Sequence, residues 1–525
     1  MKKFKIFYLF LIISLLTNCK STEKYNKQVS KLHSVEELHQ DIDYAYKKLK
    51  KWHPNLYQYI KKEELDAAFN NLKSRIKSPK TTIEFYNEFA PIIAKIGQGH
   101  TALKVAHKWQ TKKDLKKRGN RENPFRILRF NTLNEKVFIQ NNFGKDTTII
   151  KGSELLKIEK ETVQFIYNSS KNIVTGDGYN KTFLQKFPYK NIGMFYTNTH
   201  TLKDSLLLTL KYNDSIYKKY IYAYTKKEPT KKKDSIIAKK KLNKAERKIA
   251  KKKKKERQKW EQKYGYNKLT KENTLSLNFI KTKDSSKTVA MMKIRSFSSG
   301  NHEKFYAESF KKIDSAKVDN LIIDIRDNLG GELFAIADLY SYLVTEDHYF
   351  ISPSKMTKAN SFSYPLFYGK SKLIKGLLLP ITFPLAKTIQ AIMVKKINGE
   401  PHFVFKSAKL QKAKEEHNFN GKIYVLINAS SFSASTVLSN KLQATKRAFF
   451  VGEETGGAYN STVAGILVRI ELPNSKNYIR SGLMVLDTPH KTTPDGYGIK
   501  PDKYIEVTTL NQDEQLDWIL NDIAK

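Results

Sequence analysis

The sequence predicts a multidomain α/β protein with an N-terminal helical region, a β-rich module and a larger core of alternating strands and helices. Three patterns along the 525 residues carry that expectation. Apolar residues recur at helical spacing through roughly the first hundred positions, strand-like alternation follows from about 123 to 224, and apolar strand runs alternate with helical segments beyond 289. An apolar share of 40% supplies material for at least one sizeable core.

The elements follow in order. A first helix opens on the capping box Ser34-x-x-Glu37, which satisfies free N–H groups of the first turn. It carries Val35, Leu38, Ile42, Leu49 and Trp52 and stops before Pro54. A second helix presents Leu65, Phe69, Leu72 and Ile76. A third opens on Thr81-x-x-Glu84, presents Ile83, Tyr86, Phe89, Ile93 and Ile96, and ends in Gly97-Gln98-Gly99-His100. Runs such as 137–139 and 206–210 read as short strands. Farther on, 289–294, 321–325, 423–427 and 448–452 read as strands. Helices fall through Phe305, Phe310 and Ile313, over 332–345, and from about Ser433. Uninterrupted apolar strands separated by helices predict a sheet buried on both faces.

The chain ends and the charge raise separate questions. Residues 1–5 are basic, 6–16 are apolar apart from Ser14, and Leu16-Thr17-Asn18-Cys19 resembles a bacterial lipobox. The expectation is a lipoprotein signal peptide over 1–18 and lipidation at Cys19, giving an exported, membrane-anchored lipoprotein of the cell envelope. A single cysteine excludes a disulfide framework. Much of the net charge of +44 comes from one segment, Lys226 to Lys268, where like charges favour a solvated linker or helix. Contact with anionic lipid is the functional alternative there; no nucleic-acid partner is expected. The apolar stretch Leu373 to Val394 is interrupted by Pro380 and Pro384 and carries Lys375 and Lys387, unlike a membrane-spanning helix. A core insertion, a flap near a substrate and a membrane-dipping loop are its three readings.

Two segments can carry chemistry. Ala429-Ser430-Ser431-Phe432-Ser433-Ala434-Ser435-Thr436 joins a buried strand to a helix. A hydroxyl there points from the sheet end, beside free helix N–H groups that stabilise negative charge on a carbonyl oxygen. Serines also simply cap helices. Asp324-Ile325-Arg326-Asp327-Asn328-Leu329-Gly330-Gly331 also follows a buried strand. Its glycines admit close backbone approach, so the N–H groups of Gly330, Gly331 and Ala434 are candidates for an oxyanion hole. The sequence lacks the phosphate-loop and dinucleotide glycine patterns and any paired-histidine zinc signature, so no cofactor and no metal are expected.

These segments, followed by Val451-Gly452-Glu453-Glu454-Thr455-Gly456-Gly457 and Gly498-Ile499-Lys500-Pro501-Asp502, resemble the ordered motifs of the tail-specific, or C-terminal processing, serine peptidases. The resemblance implies Ser433 as nucleophile, a PDZ-like β module around Gly152 to Ile158, and a crotonase-like α/β peptidase core. Ser-Lys members carry a lysine directly after the glutamate-x-threonine motif; here that position is Gly456. The chain is instead similar to the tricorn-like and retinoid-binding-protein-like branch, whose peptidases take a histidine from the helical region. That makes His100 the implied base. Asp495 is the implied orienting acid, although Asp-Gly is also a common turn, and His490 is a rival base. Gly99 stands where tricorn has a serine.

The resulting organisation is a signal peptide (1–18), helical region (19–110), PDZ-like module (111–225), basic linker or helix (226–270) and peptidase core (271–525). The expected activity is hydrolysis of peptides or unfolded protein chains. The expected partners are that substrate and the membrane, through the lipid anchor and the basic segment. A non-catalytic lipoprotein binding apolar ligands or peptides on the same fold is the alternative function.

Overall fold

The computed structural model describes residues 22–110, 121–200, 203–225, 243–282, 284–361 and 372–525. The signal segment, Cys19 and residues 226–242 lie outside them.

The N-terminal region contains helices α1 (Thr22–Ser30), α2 (Val35–Trp52), α3 (Lys62–Arg75) and α4 (Thr82–Ala94). Both predicted capping boxes form, Ser34 with Glu37 and Thr81 with Glu84. The short α1 escaped the periodicity reading because its sequence is polar and buries only Tyr25 and Val29. After α4, strand β1 (Ala102–Lys104) leaves the helices and pairs with a strand near the far end of the chain.

The second region is a sheet of β2 (Leu128–Leu133), β3 (Lys136–Asn142), β4 (Glu154–Ile158), β5 (Ser205–Tyr212) and β6 (Ser215–Tyr222), in that spatial order, over its own core. The sequence reading placed only strands here. The structure adds helices α5 (Val163–Ser170), α6 (Lys181–Lys190) and α7 (Ile192–Thr199). Thr162 and Asn180 start the first two by accepting from the backbone N–H of Phe165 and Phe183, the kind of short cap that overrides weak strand propensity. The basic stretch then forms a long exposed helix, α8 (Lys244–Tyr264), capped by Asn243.

The core is a six-stranded sheet in the order β7 (Leu275–Lys281), β8 (Thr288–Ile294), β9 (Asn320–Asp324), β13 (Lys422–Ile427), β14 (Phe449–Gly452) and β17 (Lys503–Tyr504). The first pair is antiparallel and the rest are parallel. Helices α9 (His302–Ser315), α10 (Leu333–Ser341) and α12 (Ala434–Ala444) cover one face, against Leu321, Ile323, Ile423 and Val425. Helix α13 (Glu514–Ala524) covers the other, against Ile322, Tyr424 and Leu426. Burial on both sides is why these strands read as unbroken apolar runs. A second sheet takes β1, then β16 (Tyr478–Asp487), β10 (Ser354–Met356), β12 (Glu400–Phe403) and β11 (Val394–Ile397), with β15 (Ser461–Glu471) also on β16. It shares one core with the N-terminal helices.

The stretch from Leu373 lies in helix α11 (Lys372–Met393) and is not a core insertion. Phe383, Leu385 and Ile392 are 53%, 55% and 63% exposed, while Ile389 and Met393 pack at the edge of the core. Among the described residues no helix is long and apolar enough to cross a membrane.

Candidate active site

The loops that leave the C-terminal ends of β9 and β13 face each other, and the β1 turn from the helical region closes over them. Crevices at this end of parallel strands are the usual ligand positions of α/β sheets.

Ser433 holds the N-cap position of α12 with φ 55° and ψ −117°. Such a conformation costs a non-glycine residue about 1–3 kcal/mol and persists where the surroundings enforce it. Its hydroxyl makes no capping bond. Instead Ser433 Oγ lies 2.9 Å from Nε2 of His100. The neighbouring serines are structural: Ser431 Oγ donates to the Ile325 carbonyl at 2.9 Å, and Ser435 Oγ to the Asn328 carbonyl at 2.8 Å. This separates Ser433 from the serines beside it, which the strand-to-helix spacing alone could not do.

Asn328 ties the two loops together. Its side chain donates to the Ile294 carbonyl and accepts from the Gly330 N–H, both at 2.9 Å, while its own carbonyl accepts from the Phe432 N–H at 3.0 Å. Gly330 therefore does not offer a free donor to an oxyanion, as the sequence suggested. The Gly331 and Ala434 N–H groups make no hydrogen bond among the described residues, and Ala434 begins a helix, so those two remain available. Gly330 serves through shape: at φ +100° it passes so close that a Cβ would lie 2.8 Å from the Ala434 nitrogen. The arginine of the same motif is structural. Arg326 bridges Asp324 (3.0 Å) and Asp513 (2.7 Å), and this pairing holds the Asp324 carboxyl far below its usual range despite burial.

The turn bearing His100 is anchored from beneath. The Gly99 N–H donates to Asp177 Oδ1 at 2.7 Å, and Thr175 Oγ1 donates to the Gly99 carbonyl at 3.0 Å. Asp177 is fully buried, and burial raises its pKa to about 6. A Cβ on Gly99 would collide with the ring of Phe432, which lies beside the His100 imidazole with centroids 5.5 Å apart. That contact accounts for glycine where tricorn has serine. Burial, and secondarily the charge of Arg480, lowers the His100 pKa to about 4, so the imidazole is neutral near pH 7. With its proton on Nδ1, Nε2 accepts from Ser433. No room remains for a lysine beyond Thr455: a Cβ on Gly456 would meet the Ala429 carbonyl and lie 2.7 Å from the Phe183 ring, and one on Gly457 would lie 2.5 Å from Thr436 Oγ1.

Asp495 does not orient the histidine directly. Its carboxylate accepts from Gln58 Nε2 at 3.0 Å and from the Gly496 N–H at 2.7 Å, the latter being the Asp-Gly turn use. Gln58 in turn accepts from Gln98 Nε2 at 2.9 Å, so Asp495 braces the base of the turn two residues before His100. Nδ1 of His100 has no hydrogen-bond partner among the described residues. His490 accepts through its backbone carbonyl from Asn440 and Thr488 and makes no bond to Ser433. Sequence reading missed Asp177; its only signal there is the Gly176-Asp177-Gly178 turn. Among the described residues no cluster of histidine, cysteine and carboxylate side chains is placed to hold a metal ion.

Residues 288–505 match the model of peptidase family S41. The chain is a serine peptidase, and the stretch that is similar to that family covers about two fifths of it. The matched stretch includes Ser433 and the glycine turn but not His100, which lies in the N-terminal region. Mature CPAF shares its fold at 12% identity, covering 90% of this chain and 92% of that one with a TM-score of 0.56. Mature CPAF complexed with lactacystin overlaps at 12% identity, 93% and 97% coverage and a TM-score of 0.58. The photosystem II D1 C-terminal processing protease overlaps less well, at 11% identity, 92% and 97% coverage and 0.41. No curated protein sequence matches the peptidase. The match to a peptidase family disfavours the non-catalytic, ligand-binding alternative.

Proposed function

We propose that the peptidase cleaves peptide bonds through an acyl-enzyme on Ser433, with His100 as general base and acid. The carrying observation is the 2.9 Å contact between Ser433 Oγ and His100 Nε2, within the range a proton transfer needs. His100 takes the hydroxyl proton as Oγ attacks the scissile carbonyl. The tetrahedral oxyanion accepts from the N–H groups of Gly331 and Ala434. The C–N bond then breaks as His100 passes the proton to the leaving amine. Water, deprotonated by the same imidazole, attacks the ester and frees the serine. The cavity in front of the serine, about 970 Å³ with Leu103, Phe183, Leu333 and Phe334 in its wall, accommodates an extended peptide, which favours unfolded chains over folded ones.

Labelling with a fluorophosphonate probe tests the reading. Wild type is expected to label, with labelling lost in Ser433→Ala and strongly slowed in His100→Ala. Unlabelled wild type, or labelling that survives Ser433→Ala, contradicts it. The lipobox-like Cys19 supports envelope anchoring, with the lysines of α8 as added contacts to anionic headgroups. Incorporation of radioactive palmitate that disappears in Cys19→Ser is the expected result; equal incorporation by both rules lipidation there out.

A further inference from the structure

The cavity has charged groups that the acyl-transfer chemistry does not use. Arg480 on β16 stands directly across from Ala102 on β1, with Lys104 diagonally beside it on the same face. Cross-strand neighbours at such positions are within reach of long side chains. Both side chains line the same cavity as His100 and Ser433. Lys104 is half-buried, and neither cation has an ion-pair or hydrogen-bond partner among the described residues.

The neighbourhood makes this arrangement costly without a ligand. Arg480 lies opposite Arg469 on β15, and like charges across a ladder destabilise it. Arg469 is compensated by Glu471 at 3.4 Å and by the Tyr478 ring at 3.8 Å from its guanidinium carbon. Arg480 has no such partner. The other cavity charges are placed differently. Arg295 is paired with Asp324 (2.8 Å), Asp327 with Lys190 (2.5 Å), Lys406 lies over the Phe334 ring at 5.8 Å, and Glu332 stands exposed on the glycine turn. Burial, and secondarily the charge of Arg480, lowers the pKa of Lys104.

We propose that Lys104 and Arg480 form a subsite for a substrate carboxylate on the C-terminal side of the scissile bond. The inference rests on the catalytic assignment above. His100 hands its proton to the leaving amine, so the leaving half of the peptide lies on the His100 side of the cavity, where both cations stand. Two chemical sources fit: an acidic side chain just beyond the cleaved bond, and the free terminal carboxylate of a short leaving segment. A chain with net charge +44 also draws anionic substrates by long-range attraction.

The test uses matched fluorogenic peptides cleaved by the full-length enzyme, comparing Asp with Asn at each position beyond the cleaved bond, and a free with an amidated C-terminus. Wild type is expected to favour the carboxylate in one of these pairs by about tenfold to a hundredfold in kcat/KM, the range for charge-assisted hydrogen bonds. The pair that responds identifies the source. In Lys104→Gln/Arg480→Gln that ratio falls to about one. Because the readout is a ratio within one protein, general loss of activity does not imitate it. Arg480→Glu, altered at an exposed position, is expected to reverse the preference toward Lys over Asp and serves if the double variant folds poorly. Cleavage of neutral peptides with no carboxylate preference, or a preference that survives the double variant, overturns the subsite and leaves the catalytic reading standing. Absence of both cleavage and Ser433 labelling overturns the two together.

Discussion

His100→Ala lowers kcat/KM by about a hundredfold to ten-thousandfold, the usual contribution of a positioned base, while circular dichroism remains that of wild type. The pH profile gives this result its specificity. An exposed histidine titrates near 6.5, whereas burial and Arg480 bring His100 to about 4. Below that value the imidazole is protonated and cannot accept the serine proton. Wild-type kcat/KM is therefore expected to rise through about pH 4 and to be level by pH 6. Arg480→Gln, which removes the secondary cause, moves the acid limb upward. The same shift acts on stability. Between about 4 and 6.5 the unfolded chain holds more protons on this residue than the folded one, so its contribution to stability grows as pH rises through that window. An acid limb at 6.5 in wild type, or activity in His100→Ala within threefold of wild type, is incompatible with His100 as the buried base.

How much of this site is legible in the sequence depends on whether the deciding contact is local. Ser433 sits in a strand-to-helix turn beside residues recognisable by type, and β9 and β13 declare themselves through apolar runs. His100 is legible only through the glycine at 456, where a lysine would otherwise stand, together with family resemblance. No periodicity shows that β1 will join β16, more than 370 positions along the chain, and carry the histidine over the serine. Asp495 illustrates the opposite error. Its place before the closing glycine suggests a triad acid, but an aspartate preceding glycine finds a partner in the next N–H, and Gln58 takes the rest of the carboxylate. Asp177, which anchors Gly99, lies in a segment read as strands, so nothing pointed to the histidine turn. The serines divide by hydrogen-bond partners that exist only once the loops have met.

Gly330→Ala is expected to reduce kcat/KM by about a hundredfold or more without removing any catalytic group. The new Cβ would lie 2.8 Å from the Ala434 nitrogen, 2.8 Å from the Phe432 carbonyl oxygen and 2.9 Å from Ser433 Cβ. Backbone cannot rotate away as a long side chain does, so one of the two turns must shift. The glycine turn is fixed by Asn328 and by the Phe297 N–H, which donates to the Gly330 carbonyl at 3.0 Å. Displacement therefore falls on Ser433, which already occupies a strained conformation, and a shift of about 1 Å at a reacting atom costs about a hundredfold in rate. Left-handed backbone alone also costs an L-residue about 1–2 kcal/mol, so stability loss by itself does not identify the cause. Gly399→Ala separates the two effects. Gly399 has φ +79° and no neighbouring atom within 4 Å of the place its new methyl group would occupy, so its substitution carries the strain without the collision. The expected pattern is a lowered Tm in both variants and slowed fluorophosphonate labelling and peptide cleavage in Gly330→Ala alone. Equal activity in the two would mean that the nucleophile turn accommodates the methyl group, and that the close approach of Gly330 does not set the position of Ser433.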